Sequence, residues 1–276
     1  MIILVQCTDR VGLVADVAKV MANAHLNIIS MREFVSVKEN RFFIRVEADG
    51  PANAETIRQN LLKVLPPDIE ILINPLPEKK VAVLVTKEYH CLGDILLRNF
   101  FGTLKASVQC VIGNHENLRA ISEKFDIPFH YIAHEGKTKE GFERDLSATL
   151  EKYEFDYIVL AKFMRILSPE FVANFRMRII NIHHSFLPAF IGASPYRQAY
   201  KRGVKLIGAT AHFVTNDLDN GPIITQEIIP INHSHTVQEM ITLGKEIEKS
   251  ALAKALQLVF EDRVMVFNNK TIVFEN

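Results

Sequence analysis

The hydrophobic pattern of residues 1–74 predicts a small unit of four strands and two helices. The apolar runs "IILVQC", "NIISMREFVSV", "RFFIRVEA" and "IEILI" have the length and the β-branched content of strands. Two other segments, 11–25 and 54–64, carry apolar residues at helical spacing. The resulting βαββαβ order is that of a ferredoxin-like sandwich. Such a unit has helices on only one face of its sheet, and it often pairs with another copy.

The segment "NPLPEKK" follows this unit and has two prolines and three charges in seven residues. Proline removes a hydrogen-bond donor and stiffens the chain, so this composition is typical of a linker. We therefore predict a linker at residues 75–80, between a first domain at 1–74 and a second domain at 81–276.

In the second domain, apolar runs of strand length alternate with helical segments. Alternation of this kind predicts an α/β fold, here Rossmann-like, with a mostly parallel sheet covered on both faces. A long helix and a short hairpin close the pattern. The strands are predicted at 80–86, 106–113, 155–161, 178–184, 206–214 and 222–231, the helices at 93–101, 116–125, 141–153, 169–175 and 236–260, and the hairpin at 264–274.

The composition indicates which kinds of partner the protein binds. Lys plus Arg and Asp plus Glu both number 32, so the basic excess that is typical of a nucleic-acid binder is absent. Three cysteines without close spacing favour neither a disulfide framework nor a zinc ribbon. No apolar run approaches the ~20 residues of a membrane helix, and no signal peptide is visible. We expect a cytoplasmic protein that acts on small molecules, without nucleic-acid or membrane partners.

One predicted strand, "RIINIHH", ends in polar side chains. Asn181 and His183 fall where ligands bind in open parallel sheets, at the carboxyl end of a strand. Because side chains alternate along a strand, both lie on the same face and can contact one small ligand. The amide can stabilise an oxyanion, and the imidazole can transfer a proton near neutral pH. The alternative is structural: Asn181 satisfies a backbone group and His183 packs in the core.

A carboxylate that orients this histidine is expected nearby. The loop "TNDLDNG" offers Asp217 and Asp219, and their spacing does not choose between them. These residue types are also common in turns that have no other function. The segment "FMRIL" follows another strand end and can form an apolar wall for a planar ligand, or it only leads into a helix.

The histidines of the second domain form a conceivable metal cluster. No cysteine or spaced carboxylate accompanies them, so we expect no metal. In the segment "SHTVQE", Thr236 and Glu239 have the spacing of a helix capping box, which explains that stretch without a metal. The histidines of this conceivable cluster are His183, His184, His212, His233 and His235.

Residues from about 80 to 262 resemble the folate-dependent formyltransferase family. The resemblance is carried by "LAKFMRILSPEF", "INIHHSFLPAF", "GATAHFV" and "DLDNGPII", in the order and spacing of that family. It implies a catalytic trio of Asn181, His183 and Asp219, and it selects Asp219 over Asp217. It also implies a reduced folate as substrate, with no separate cofactor. The implied folate-pocket residues are Leu160, Met164, Arg165, Ile166, Leu167, Val214, Thr215, Asp217 and Leu218.

The first 74 residues resemble the ACT domain, a small regulatory module. The resemblance is carried by "TDRVGLVADVAKVMANAHLNI" and is supported by the βαββαβ order. It implies a homo-oligomer, either a dimer or a tetramer, and an amino-acid effector bound between copies; the alternative is that the domain only dimerises the chain. The implied ligand residues are Asp9, Arg10, Val11, Gly12, Leu13, Asn27 and Ile28.

An ACT domain ahead of a formyltransferase-like domain implies hydrolysis of 10-formyltetrahydrofolate to formate and tetrahydrofolate. Such a reaction supplies formate for purine synthesis and balances one-carbon folate pools. Transferases that bind a phosphorylated amine have a glycine-rich loop after the first strand, because backbone N–H groups there bind phosphate. Here the turn is "TKEYHCLGD", with bulky residues instead. The alternatives are a glycinamide ribonucleotide formyltransferase-like enzyme and a non-catalytic amino-acid sensor.

Overall fold

The computed structural model describes residues 1–74, 78–189 and 195–275. The chain divides into two units, one of residues 1–74 and 261–275 and one of residues 78–189 and 195–260. The predicted domain boundaries differ from this division, because the last residues belong to the first unit. Of the predicted linker, residues 75–77 lie outside the described residues, as does residue 276 of the predicted second domain.

The first unit contains a four-stranded antiparallel sheet in the order β2-β3-β1-β4, as the ferredoxin-like pattern predicts. Both helices cover one face, onto which β1 directs Ile3, Val5 and Cys7. The second helix is capped by Asn53, whose side chain accepts hydrogen bonds from two backbone N–H groups of the first turn. The elements are β1 (Ile2–Thr8), α1 (Leu13–Asn23), β2 (Asn27–Ser36), β3 (Arg41–Asp49), α2 (Ala54–Val64) and β4 (Glu70–Asn74).

The second unit contains a seven-stranded sheet in the order β11-β10-β9-β8-β5-β6-β7. Strands β5 to β9 are parallel, whereas β10 and β11 are antiparallel to their neighbours. The strands are β5 (Lys79–Val85), β6 (Ala106–Gly113), β7 (Phe129–Tyr131), β8 (Tyr157–Leu160), β9 (Ile179–His183), β10 (Leu206–Phe213) and β11 (Ile223–Pro230). The helices are α3 (His90–Phe100), α4 (Arg119–Lys124), α5 (Lys139–Leu150), α6 (Pro169–Asn174), α7 (Pro195–Arg202) and α8 (Val237–Phe260).

Several elements differ from the sequence prediction. Strand β7 is only three residues long, and helix α7 has the polar sequence "PYRQAYKR". Neither shows the apolar periodicity from which a strand or a helix can be predicted. Helix α3 begins at His90 rather than at Gly93, and β5 begins at Lys79, inside the predicted linker and one residue before the predicted strand. Among the described residues, no helix is long and apolar enough to span a bilayer.

The predicted hairpin is present as β12 (Val264–Phe267) and β13 (Lys270–Val273). The prediction places it in the second domain, but its apolar side chains pack on the helix-free face of the first unit's sheet. There Met265 and Phe274 form a small core with Leu4 and Phe43. The Arg45 guanidinium donates to the backbone carbonyl groups of residues 261 and 262. This face is therefore partly covered by the chain's own C-terminal segment.

The strand order of the second unit fixes where a ligand can bind. From β5 the chain moves outward through β6 and β7, and it then returns to the other side of β5 to form β8 and β9. The order reverses between β5 and β8, and open α/β sheets bind ligands outside the carboxyl ends of the strands at such a switch point. The segments that follow β5, β8 and β9 all leave the sheet at this edge.

Candidate active site

A cavity of about 570 Å³ lies outside the carboxyl ends of β8 and β9. Its size is within the range that encloses a small organic ligand. All the catalytic and folate-contacting residues predicted from the sequence line this one cavity. The lining residues are Leu160, Lys162, Phe163, Met164, Arg165, Ile166, Leu167, Asn181, Ile182, His183, His184, His212, Val214, Thr215, Asn216, Asp217, Leu218 and Asp219.

His183 and Asp219 form an ion-pair geometry at the floor of the cavity. Nδ1 of His183 lies 3.3 Å from Oδ2 of Asp219, and His183 is only 6% exposed. Its other ring nitrogen, Nε2, is buried and has no hydrogen-bond partner among the described residues. A carboxylate at Nδ1 favours the tautomer with the proton on that nitrogen, which leaves a basic lone pair on Nε2. The imidazole is therefore oriented to exchange a proton with a ligand.

The loop after β10 holds Asp219 in place through a close backbone approach. Asp219 has a positive φ of 53°, which a short polar side chain tolerates better than a branched one. Gly221 packs so tightly that a Cβ atom there would lie 1.7 Å from the carbonyl oxygen of Phe213. The Phe213 N–H donates to the Pro222 carbonyl and closes this turn. Asp217 is exposed, whereas Asp219 contacts His183, so the geometry agrees with Asp219 as the carboxylate.

The surroundings keep Asp219 ionised. Burial alone would raise the pKa of its carboxyl group, but the hydrogen bond from His183 outweighs this and holds the pKa well below its usual range. Burial and the Lys162 charge lower the pKa of His184 from 6.5 to about 4, so this neighbouring imidazole is neutral near pH 7. The site thus combines one fixed anion with imidazole groups.

His212 belongs to the site, although the sequence pattern points to it only as a conceivable metal ligand. It pairs with Asn181 across the antiparallel β9–β10 ladder, and Nδ2 of Asn181 lies 3.2 Å from Nε2 of His212. Nδ1 of His212 contacts the Phe213 carbonyl oxygen at 2.9 Å, so this nitrogen carries a proton. Nε2 also lies 3.8 Å from Oδ1 of Asp219. His212 therefore positions the Asn181 amide.

The loop after β8 forms the apolar wall of the cavity. Its start is fixed by a 2.9 Å hydrogen bond from the Met164 N–H to the Thr86 hydroxyl, and its end by a 2.7 Å bond from the Ser168 N–H to Glu143. Arg165 stacks over the Phe142 ring at 5.0 Å. The side chains of Met164 and Ile166 remain more than half exposed. A rigid backbone with available apolar side chains suits a planar ring system.

The predicted ACT-ligand residues lie in the first unit, at the β1–α1 loop and the start of β2. Gly12 has a positive φ of 93° and precedes the first residue of α1. The Arg10 guanidinium pairs with Asp16 at 2.7 Å and donates to the Val64 carbonyl. The Leu13 side chain packs in the core, so it cannot contact a ligand there. Asp9 and Val11 are accessible, as is Asn27.

Within the described ranges, the group with metal-ligand spacing is His90, Cys91 and Glu248. Burial raises the pKa of the Cys91 thiol, and Glu248 already pairs with Lys162 at 3.1 Å. A metal prefers a thiolate and a free carboxylate, so these residues do not fit a metal ion.

Two histidines of the conceivable metal cluster, His233 and His235, lie in a loop before α8 and outside the cavity. The capping box that follows them is confirmed, since Thr236 and Glu239 exchange hydrogen bonds. These two histidines therefore belong to the start of the helix and not to the site.

Comparison with known proteins gives matches along the whole chain. A formyl transferase family model matches residues 79–256, and an ACT domain model matches residues 1–66. The formyltetrahydrofolate deformylase of Haemophilus influenzae is 48% identical over 99% of this chain and 98% of its own. The crystal structure of a formyltetrahydrofolate deformylase from Pseudomonas syringae superposes with a TM-score of 0.94 at 37% identity, covering 99% of this chain and 94% of that chain. Glycinamide ribonucleotide transformylase 1 from Symbiobacterium toebii gives a TM-score of 0.69 at 28% identity, covering 72% and 95%.

Proposed function

Because the chain belongs to the formyltetrahydrofolate deformylase family, we propose that Asn181, His183 and Asp219 carry out the hydrolysis of 10-formyltetrahydrofolate. The products are formate and tetrahydrofolate. The observation that carries the assignment of residues is the convergence of an amide, an imidazole and a carboxylate in one cavity, with Nε2 of His183 unpaired among the described residues.

The first step is the attack of water on the formyl carbon. His183 accepts a proton from water at Nε2, while Asp219 holds the ring and stabilises the imidazolium that forms. A new bond forms between the water oxygen and the formyl carbon, and the carbonyl oxygen becomes an oxyanion. Asn181 uses one amide hydrogen for His212 and has a second one for this oxygen.

The second step breaks the bond between the formyl carbon and N10. The His183 imidazolium returns its proton to N10, so tetrahydrofolate leaves as a neutral amine and the carbonyl group re-forms. The formic acid produced then loses its own proton to solvent. His183 ends the cycle neutral and Asp219 remains ionised throughout, in agreement with the direction in which its pKa is shifted.

In this proposal the pterin ring packs against the loop after β8, where Met164, Ile166, Val214 and Leu218 line the cavity. These side chains supply apolar surface, and the neighbouring backbone groups supply hydrogen bonds for the ring edge. The reacting formyl group then lies at the strand-end polar residues. No separate cofactor takes part in the steps described.

The turn after β5 supports water as the acceptor instead of a phosphorylated amine. Helix α3 begins at His90, and the carboxylate of Glu88 lies just before it, paired with Lys245 at 2.7 Å. An anion at this helix N-terminus would meet the Glu88 charge and the bulky Tyr89 side chain. Phosphate sites at helix N-termini need open backbone N–H groups and no competing carboxylate. This turn does not provide them.

The experiment that tests the function measures formate and tetrahydrofolate after incubation of the purified chain with 10-formyltetrahydrofolate. It is run with and without glycinamide ribonucleotide. We expect equal amounts of both products without the amine, and no dependence on it. A strict requirement for glycinamide ribonucleotide would instead support a formyltransferase.

For the first unit we propose an amino-acid effector that binds at the β1–α1 loop, near Asp9 and Gly12, in a homo-oligomer paired through this unit. The family match to an ACT domain and the start of α1, where no side chain accepts from the first N–H groups of the helix, support this. Calorimetry with free amino acids should show saturable binding, and a Gly12→Val variant should lose it. Light scattering that finds a monomer, or no heat with any amino acid, would refute the proposal.

A further inference from the structure

A buried polar network lies directly behind the cavity and takes no part in the proposed reaction. Its centre is Glu248 on α8, which is 1% exposed. Oε1 of Glu248 accepts a 2.6 Å hydrogen bond from the Tyr196 hydroxyl. Oε2 lies 2.8 Å from Nε2 of His90 and 3.1 Å from Nζ of Lys162. Burial alone would raise the pKa of Glu248, yet these partners lower it to about 2, so the group is an anion.

The local sequence makes room for this network. Gly244 lies one helical turn before Glu248, and a Cβ atom at that position would lie 2.2 Å from the Tyr196 ring. The missing side chain lets Tyr196 approach α8 and reach the carboxylate. A helical glycine costs stability in itself, so its presence here is explained by the close approach of the ring.

Lys162 separates this network from the cavity. It lines the cavity, whereas Glu248, Tyr196 and His90 do not. Lys162 is 8% exposed and has a left-handed φ of 61°, which turns the chain where β8 ends. Its charge is close enough to His184 to lower the pKa of that imidazole, and the His184 ring lies 5.1 Å from the ring of His183. Lys162 therefore lies at the boundary between the Glu248 network and the cavity that holds the proposed reaction centre.

We propose that Lys162 determines acceptor specificity by occupying, with its own ammonium group, the position that an acceptor amine would need. A buried carboxylate next to a reaction centre is suited to bind a primary amine or ammonium. Here Glu248 is already saturated by Lys162, and water remains the acceptor that fits. This inference rests on the proposed function, and it assigns to Lys162 the difference between hydrolysis and formyl transfer in this cavity.

Shortening Lys162 creates a void that Glu248 lines. A primary amine bound there can attack the formyl carbon with its nitrogen lone pair. A new carbon–nitrogen bond forms, the bond to N10 breaks, and His183 moves one proton from the attacking nitrogen to N10. The products are tetrahydrofolate and the N-formyl amine, and no oxidant or other reactant is needed.

The test compares the wild-type chain with Lys162→Ala in 10-formyltetrahydrofolate plus glycinamide. An α-amino group titrates near pH 8, so part of this amine is the free base at neutral pH. Mass spectrometry gives the ratio of N-formylglycinamide to formate. We expect formate alone from the wild type and a ratio at least tenfold higher from Lys162→Ala. Lys162→Met fills the void with an apolar chain, so it should keep the ratio of the wild type.

The matched control is Lys249→Ala. Lys249 pairs with Glu246 on helix α8, and it does not line the cavity. This variant should behave as the wild type. If Lys162→Ala does not fold because Glu248 is left unpaired, the variant Lys162→Asn supplies an amide donor toward Glu248 and still leaves the position of the ammonium group open, with the carboxylate kept. A folded variant with the void and the wild-type product ratio overturns the inference. Absence of formate from the wild type would instead overturn the proposed function.

Discussion

Replacement of Asp219 by asparagine tests the electrostatic centre of the site with almost no change in side-chain shape. The substitution removes a negative charge that faces His183 at 3.3 Å and His212 at 3.8 Å. In the proposed reaction this charge is needed most when His183 becomes an imidazolium. The variant should therefore bind folate normally and fail at the chemical step.

The size of the effect follows from the geometry. With an effective dielectric constant of about 20, opposite unit charges 3.3 Å apart attract by about 5 kcal/mol. Asp219 borders the cavity and is partly screened by solvent, so we take about 4 kcal/mol as the loss in the transition state. At about 1.4 kcal/mol per factor of ten, kcat should fall roughly a thousandfold, with little change in KM.

Formate release by Asp219→Asn is measured with a formate dehydrogenase coupled to NAD reduction, next to the wild type. Stability is measured by denaturant unfolding as a function of pH. The folded-state pKa of Asp219 lies below its usual value, so the interaction of its carboxylate with His183 stabilises the wild type above that value and is lost as pH falls. The difference in unfolding free energy between the wild type and the variant should therefore have its largest value at pH 7 and decrease progressively below about pH 4. A kcat within threefold of the wild type in a folded Asp219→Asn would refute the assigned role.

Three further substitutions test other parts of the site. Asn181→Ala removes the oxyanion donor and should lower kcat about 10²- to 10³-fold with little change in KM; a raised KM at unchanged kcat would show that the amide only binds substrate. His184→Gln tests the burial of this imidazole: burial lowers the pKa of the wild-type His184 from 6.5 to about 4, so as pH falls the unfolded chain binds a proton at this residue before the folded chain does. Between pH 7 and pH 4, the unfolding free energy of the wild type should therefore fall by about 3 kcal/mol relative to that of the variant. The measurement is denaturant unfolding at each pH, and parallel curves for the two chains would contradict the shift. Gly221→Ala puts a Cβ atom 1.7 Å from the Phe213 carbonyl oxygen. The clash should lower the unfolding free energy by about 1–3 kcal/mol and also lower kcat. Unchanged values of both would mean that the loop is not rigid.

Much of the architecture is readable from the sequence because its local patterns agree with the final packing. Strand β9 is apolar except at its carboxyl end, and this contrast alone marks Asn181 as an unusual residue. The capping box at Thr236 likewise depends only on residues that are close in the sequence. Patterns that are determined locally survive folding, and so they can be predicted.

The features that the sequence does not reveal depend on long-range contacts. His212 joins the site because β10 runs antiparallel to β9 in a register that pairs it with Asn181, and no period in the sequence encodes that register. The ion pair of Lys162 with Glu248 joins residues far apart in the chain. The hairpin at 264–274 is recognisable as a hairpin, but its place on the first sheet depends on complementarity with Leu4 and Phe43. These contacts are set by topology, which a single sequence does not show directly.

The central claim is that the cavity directs water onto a formyl group. The most direct measurement is single-turnover hydrolysis of 10-formyltetrahydrofolate in H₂¹⁸O without any amine, with formate analysed by mass spectrometry. We expect one formate per tetrahydrofolate, and one ¹⁸O atom in each formate. Tetrahydrofolate formed without labelled formate would contradict the account.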